Sequence, residues 1–340
     1  MVQTYSKRAL PILVWLTALA TEHGECIPVR LVKGAYWDNE IKLCQQRGLK
    51  TYPVFTRKEA TDVNFLTCVQ YLFSETTVGR LYPQFASHNA QATACILHSA
   101  AKSPRPFEFQ RLHGMGDALY KTILENHSCP IRIYAPVGAH TDLLPYRVRR
   151  LLENGANSSF VHRLVDAATP ISSLINHPAD DLLKYKSLAN DKIPQPSAIF
   201  GDRANSAGVN LNVESDFVGL NDAIRAWDSH QWHAEPIISA LQVNAPGEIN
   251  NAPQSGHQAN SEAVYSPQDH NERIGSVEWT REDQISQALN AASKAFPGWN
   301  DTAVASRAQI IEDFADELEA NFAELMALCC REAGKTMQDS

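Results

Sequence analysis

Short apolar runs alternate with longer amphipathic stretches over the first 160 or so residues. Ile27–Val32, Leu81–Ala86, Phe107–Leu112 and Ile131–Pro136 have the length and the β-branched or aromatic content of strands. Between them, segments at about 38–47, 59–73, 91–102, 116–126 and 141–154 carry helical spacing. Strands alternating with helices predict a parallel sheet, either open or closed into a barrel. Each strand end opens into reactive chemistry: Lys33-Gly34-Ala35-Tyr36, Ser87-His88-Asn89, Gln110-Arg111-Leu112-His113-Gly114 and Tyr134-Ala135-Pro136-Val137-Gly138. Functional groups on successive C-terminal strand ends suit a (β/α)8 barrel with a central site better than an open sheet with one switch point. Four such strands and a remnant at Val2–Tyr5 are about half of what a closed barrel requires. The chain therefore reads as beginning in mid-domain, with about strands 4–8 of an α/β, TIM-like partial barrel.

The pattern changes at both ends. Lys7-Arg8 followed by the apolar run Ala9–Ala20 imitates a signal peptide, but it reads better as a helix packed on the next strand and ending at His23-Gly24. The run is also too short to span a bilayer. Beyond about residue 165, residues 187–263 are rich in Asn, Pro, Ser, Gly and Gln, with linker signals at Asn244-Ala-Pro-Gly and Asn250-Asn-Ala-Pro-Gln-Ser-Gly. Glu262–Ser266 and Ile274–Glu278 flank a polar turn and predict a hairpin. A helix should start at Thr280, and a longer amphipathic one should run from about Val304 to Arg331, with Ile310, Phe314, Leu318, Phe322 and Leu325 on one face. Cys329-Cys330 at its end reads as packing rather than catalysis.

Composition narrows the class. With 340 residues, 44% hydrophobic and 20% charged, the chain can form two globular cores, and a net charge of −8 argues against a nucleic-acid footprint. Its seven cysteines lack a CxxC pair and its twelve histidines lack HxxxH or HExxH spacing, which points to a reducing cytoplasm and to no metal site.

The densest chemistry is Arg30-Leu-Val-Lys-Gly-Ala-Tyr-Trp-Asp38. Gly34 lets the backbone turn and lets something large come close, while Arg30 and Lys33 bring cations to a buried strand. A strand end with a solvated lysine fits the nonapeptide equally well. Arg149, Arg150 and Glu153 lie in one helical stretch, and Arg149 and Glu153 share a face, as in either a ligand clamp or a solvated ion-paired surface. Tyr36 and Tyr134 read as pocket walls or as ordinary rim, and Lys33 could also serve as the Schiff base of a barrel lyase. A module that serves only interactions is a third reading.

Six motifs bring a family into view: Arg30–Asp38, Tyr52-Pro-Val-Phe-Thr-Arg-Lys58, Phe85-Ala-Ser-His-Asn89, Phe109-Gln-Arg-Leu-His-Gly-Met-Gly116, Arg132-Ile-Tyr-Ala-Pro-Val-Gly138 and Arg149-Arg-Leu-Leu-Glu-Asn-Gly-Ala-Asn157. In order and spacing they resemble the proline dehydrogenase domain of the bifunctional proline utilization A flavoenzymes, and the likeness continues through Ile199–Gly208. The tail, with Glu332-Ala-Gly-Lys335, resembles the start of an aldehyde dehydrogenase domain. The resemblance implies residues 1–170 as the C-terminal part of an FAD barrel, 171–230 as a linker and 231–340 as the beginning of the second domain. It implies oxidation of L-proline to pyrroline-5-carboxylate, then oxidation of glutamate semialdehyde by a domain that uses NAD and whose NAD site lies beyond this chain.

By match to that family, Arg149 and Arg150 hold the proline carboxylate, and Tyr134, Tyr36, Ala35 and Leu112 line the pocket. The flavin contacts carried over are Gln3, Arg30, Val32, Lys33, Gly34, Ala35, Trp37, Thr56, Arg57, Lys58, Ser87, His88, Asn89, Gln110, Glu153, Ser159 and Phe160. The family further implies a quinone as electron acceptor, a homo-oligomer, a cytoplasmic location with peripheral attachment to the inner membrane face as an option, and DNA as a partner only in members with an N-terminal DNA-binding domain. The missing first strands would leave two sheet edges unpaired, so the isolated chain is expected to bind FAD weakly and turn over little.

Overall fold

The computed structural model describes residues 1–155, 175–237 and 261–340. They form two compact units, Met1–Asn205 and Ser206–Ser340.

The first unit is built on five parallel strands: β1 (Val2–Gln3), β2 (Ile27–Val32), β3 (Leu81–Ala86), β4 (Glu108–Leu112) and β5 (Ile131–Tyr134). Their order in the sheet is their order in the chain. Among the described strands that progression has no reversal and so no switch point of the doubly wound kind; it is the order of a barrel wall. Helices α1 (Ala9–His23), α2 (Trp37–Gln46), α3 (Lys58–Leu72), α4 (Ala90–Lys102), α5 (Asp117–Asn126) and α6 (His140–Gly155) lie between and after the strands, as the periodicity predicts.

Strand alternation separates two faces. Leu31, Phe85, Phe109 and Ile131 are register partners from strand to strand and form the apolar layer beneath the helices. The rings of Phe73, Phe85, Phe107 and Phe109 stack edge to face and in parallel at centroid distances of 5.5–6.4 Å. Burying each such ring contributes about 1.5–3 kcal/mol. Helix α1 seats Ala9, Leu13, Thr17 and Ala20 on this layer, at spacings of three and four, so the apolar N-terminal run is a packed helix.

A smaller core gathers Tyr5, Ile41, Cys44, Leu49, Tyr52 and Val54 beside α2. Residues 175–205, which the resemblance places within a linker at 171–230, are part of this unit. The short helix α7 (Pro178–Leu182) packs on α3, and the Tyr52 hydroxyl donates to the Pro194 carbonyl at 2.7 Å. A polar composition did not prevent order here because the segment's backbone carbonyls and amides find partners in the barrel part, at Tyr52, Thr56, Arg57 and Gln91.

The second unit departs further from the sequence reading. Helix α8 (Glu214–Arg225) and strand β6 (Trp232–Ala234) form where a linker is expected. The expected hairpin is present as antiparallel β7 (Ser261–Tyr265) and β8 (Arg273–Glu278), and β6 adds to it in parallel, giving the order β6-β8-β7. Gly275 permits this, because a side chain there would run into the Trp232 carbonyl. The three-residue β6 has no period of its own to read; a tertiary partner makes it a strand.

Helix α9 (Glu282–Asp301) begins with Arg281, not Thr280, at its N-cap, and Gln284 completes a capping box. The predicted helix from Val304 to Arg331 is two helices, α10 (Val304–Ala320) and α11 (Phe322–Glu332). Asn321 interrupts them, its side-chain amide donating to the Glu317 carbonyl at 2.8 Å and ending α10. Hydrophobic spacing continues across the break, which is why periodicity alone does not reveal it. Leu220 and Ile224 of α8 pack with Met326 and Ala327 of α11. Arg331 ties the unit together through the Trp227 and His230 carbonyls and Glu272, at 2.9 Å each.

The seven cysteines are free. Burial pushes the Cys68 thiol up to about 12, which leaves it unreactive.

Candidate active site

Opposite the apolar layer, the even-numbered positions of β2, β3, β4 and β5 make a second, polar face. Gln3 pairs with Val32, Ala86 with Gln110, Gln110 with Arg132, and Leu112 with Tyr134. Register alone therefore places Gln3, Arg30, Val32, Gln110, Leu112 and Tyr134, six residues matched to the family, on one surface. The Arg30 guanidinium lies 4.5 Å from the centre of the Tyr134 ring. Their strands are three intervals apart, about 14 Å in a flat sheet, so both side chains lean toward each other across a face that curves as a barrel wall does.

Arg30 is half-buried, and its Nε is buried with no hydrogen-bond partner among the described residues. A stranded donor on a cation costs about 1–3 kcal/mol unless a ligand satisfies it. That is the one feature of the face that points directly to an anionic or acceptor-rich occupant, and it fits a flavin, whose reduced ring and pyrophosphate both carry negative charge.

At the strand ends, Ala35 and Tyr36 are exposed, with Tyr36 at the N-cap position of α2. Gly34 adopts φ +118°, and Tyr5 and Gln3 close against it so tightly that no side chain could be accommodated. The Trp37 indole donates to the Phe55 carbonyl at 2.7 Å. Ser87 is buried and its hydroxyl accepts from the Asn89 amide, while Asn89 caps α4 by accepting from the Ala92 amide at 2.8 Å. His88 stands edge-on to Tyr120, whose hydroxyl donates to the Ser87 carbonyl at 2.5 Å. Burial pushes that hydroxyl's pKa up, so it remains a donor that fixes the end of β3.

The remaining cations face other partners. Lys33, odd-numbered, turns to the helix side, 2.5 Å from Asp62, which also binds Lys58 at 3.0 Å. That engagement removes the geometry a Schiff-base lysine over the inner face would need. Arg57 stacks on Tyr185 at 3.8 Å and donates to the Ser187 and Ala189 carbonyls and to Asp191. Thr56 accepts from the Asn190 amide at 2.9 Å. Thr56, Arg57, Lys58 and Lys33 thus form a cluster beside the segment at 185–191 rather than on the strand face. Arg149, Arg150 and Glu153 lie on α6, their side chains outside the described residues, as are Ser159 and Phe160 altogether.

One residue at the centre of the polar face was missed. Glu108 is 3% exposed and its carboxylate collects Gln84 Nε2 at 2.9 Å, Gln110 Nε2 at 2.7 Å, and Arg132 Nε and Nη2 at 2.8 and 2.9 Å. The signal was available in Phe107-Glu108-Phe109-Gln110, whose alternation puts the acid beside Gln110 on the face opposite two phenylalanines. The Arg132 hydrogen bond holds the Glu108 carboxyl below its ordinary 4.5 against the opposing effect of burial, with Gln110 and Gln84 adding to the lowering. Because the folded value is the lower one, this carboxylate contributes stability above the unfolded value that disappears as pH falls through the folded one. Thermal midpoints of the wild type and Glu108→Gln should differ most at neutral pH and converge below 4.5. A gap that stays constant with pH would show that charge at Glu108 is immaterial.

In the second unit, His233, Glu235 and Glu278 bring ligand atoms within 4.8 Å of one another, though two of the three are exposed. Among the described residues, no helix is long and apolar enough to cross a membrane.

A parallel sheet whose strands follow chain order, with a concave cationic face, defines a partial (β/α)-barrel class, and comparison with known proteins agrees. Residues 1–163 match the proline dehydrogenase family and residues 254–340 the aldehyde dehydrogenase family. The bifunctional protein PutA of Salmonella typhimurium is 38% identical over 353 aligned positions, covering 100% of this chain and 26% of that protein. PutA of Rhizobium meliloti is 40% identical over 342 positions, covering 98% and 26%. The structure of PutA from Bdellovibrio bacteriovorus inactivated by N-propargylglycine superposes with a TM-score of 0.75 at 28% identity, covering 99% of this chain and 33% of that one. The chain belongs to the PutA family, carrying a proline dehydrogenase region and part of an aldehyde dehydrogenase region. It spans about a quarter of the length of the curated relatives it matches.

Proposed function

We propose that this chain carries the flavin-facing part of an FAD-dependent proline dehydrogenase, which oxidises L-proline to pyrroline-5-carboxylate within a bifunctional enzyme whose second domain uses NAD to oxidise glutamate semialdehyde. Residues 1–170 belong to the first activity, 171–230 to the connection and 231–340 to the start of the second domain. The observation that carries this reading is the single concave face holding Gln3, Arg30, Val32, Gln110, Leu112 and Tyr134, with a stranded Arg30 donor at its centre.

When bound, FAD supplies a two-electron acceptor for the hydride leaving the proline ring. The chain's own residues bind and orient. Arg30 would hold the anionic part of the flavin, and Gln110 and Gln3 would offer it amide hydrogen bonds. Arg149 and Arg150 would hold the substrate carboxylate through planar, two-pronged hydrogen bonding, and Glu153 belongs with the flavin contacts. Tyr134, Leu112, Ala35 and Tyr36 wall the pocket and exclude water. Gly34, Trp37, Ser87, His88 and Asn89 shape the strand ends, and Lys33, Thr56, Arg57 and Lys58 with Ser159 and Phe160 hold the more remote parts of the dinucleotide. Quinone as the final acceptor, homo-oligomerisation, a cytoplasmic location and peripheral membrane attachment belong to the same proposal; DNA binding would need a further domain.

The test is a visible absorption titration of the chain with FAD, followed by anaerobic L-proline. Binding with perturbed flavin bands is expected, and bleaching on L-proline but not D-proline would extend the proposal to turnover. A chain that leaves the FAD spectrum and fluorescence unchanged at saturating concentrations overturns it.

A further inference from the structure

We infer that Glu108 is a positioning residue of this site, acting through Gln110 to fix which end of its side-chain amide meets the flavin. The inference rests on the flavin reading above. An ionised carboxylate can only accept hydrogen bonds. Glu108 Oε1 takes the NH2 groups of both Gln84 and Gln110, at 2.9 and 2.7 Å, while Arg132 binds both carboxylate oxygens. The Gln110 amide is thereby committed: its nitrogen faces Glu108, and its carbonyl oxygen is the end left to a ligand. A glutamine alone could present either end, since the two are nearly isosteric and rotate about one bond. With Glu108 in place Gln110 offers an acceptor, the complement of an N–H on the flavin's ring edge, such as that of the pyrimidine portion.

The arrangement is rigid for physical reasons. Glu108 and Gln110 are both buried, on one strand and two residues apart, so their side chains share a face. Gln84 is the register partner of Glu108 on β3, and Arg132 that of Gln110 on β5. Three strands therefore converge on one carboxylate. Among the described residues, Glu108 is the hydrogen-bond partner of the Gln110 side-chain nitrogen.

Glu108→Gln and Glu108→Asp, read by FAD titration of the full chain and by the position of the bound flavin's visible bands, test the inference. Glu108→Gln keeps the shape but lets the Gln110 amide turn, and should weaken FAD binding about 3- to 10-fold with a band shift. Glu108→Asp keeps the charge and withdraws the oxygen from Gln110 by one methylene; it should lose affinity similarly while holding its thermal midpoint better than Glu108→Gln. Gln110→Met should cause the same loss, and the double variant Glu108→Gln with Gln110→Met no more than either single one. Unchanged affinity and bands alongside a lowered midpoint would make Glu108 merely structural, and additive losses in the double variant would mean that it does not act through Gln110; either overturns the inference. A wild-type chain that binds no FAD overturns the flavin reading and this inference with it, whereas wild-type binding with unaffected variants overturns only the latter.

Discussion

Arg30→Met is expected to lower the affinity for FAD by a factor of about 10 to 150, the equivalent of one charge-assisted hydrogen bond of about 1.5–3 kcal/mol. The same substitution should leave the thermal midpoint without cofactor unchanged or slightly raised. These opposite signs follow from one observation: Arg30 Nε is buried without a hydrogen-bond partner among the described residues, so the unliganded fold carries its desolvation cost. Methionine fills a similar volume, keeps contact with the Tyr134 ring and removes the stranded donor. Arg30→Lys should recover only part of the affinity, because an ammonium keeps the charge but loses the planar fork stacked 4.5 Å over Tyr134. FAD titration together with melting of the unliganded chain reads both arms. Equal FAD affinity in wild type and Arg30→Met would show that the stranded donor serves some other occupant.

Gly34→Ala should be the most destabilising single-methyl change in the first unit. At φ +118° an L side chain is strained wherever it points, and here a Cβ would overlap the Tyr5 ring and lie 3.1 Å from Gln3 Oε1. Tyr5 cannot step aside, since it is 4% exposed in the smaller core with Ile41, Cys44 and Tyr52. Strain and overpacking together cost about 3–5 kcal/mol, a large share of the stability of an ordinary domain. A fall of roughly 10 °C or more in the circular-dichroism melting midpoint is the expected reading. A midpoint within a degree or two of wild type would mean that the Gly34 turn can relax, and that its glycine answers to the ligand rather than to Tyr5.

Both predictions concern the turn from strand to site, and both depend on contacts that join positions far apart in sequence. The alternation of strands and helices from Ile27 to Gly155 was legible because each element buries one face against a common core, which imposes its period on the residues. The family motifs were legible for a related reason: the strand ends crowd polar and glycine residues into short, ordered strings. What composition could not show was order in segments that lack a period. Residues 185–191 look like solvated linker, yet they meet Arg57 and Thr56. Helix α8 and strand β6 likewise form within a stretch that reads as loose, because Leu220, Ile224 and Trp232 find partners on α11.

The candidate site divides in the same way. Sequence parity put Arg30, Val32, Gln110 and Leu112 on one side of their strands, and the resemblance of six motifs named the chemistry they serve. Only the tertiary structure decided that Lys33 turns to Asp62, that Arg57 is taken up by its neighbours, and that Glu108 gathers Gln84, Gln110 and Arg132. Periodicity is a property of one segment and can be read from it. The direction a charged side chain takes is set by which oppositely charged or hydrogen-bonding group another segment brings within 3 Å or so, and that is known only once the chain has folded.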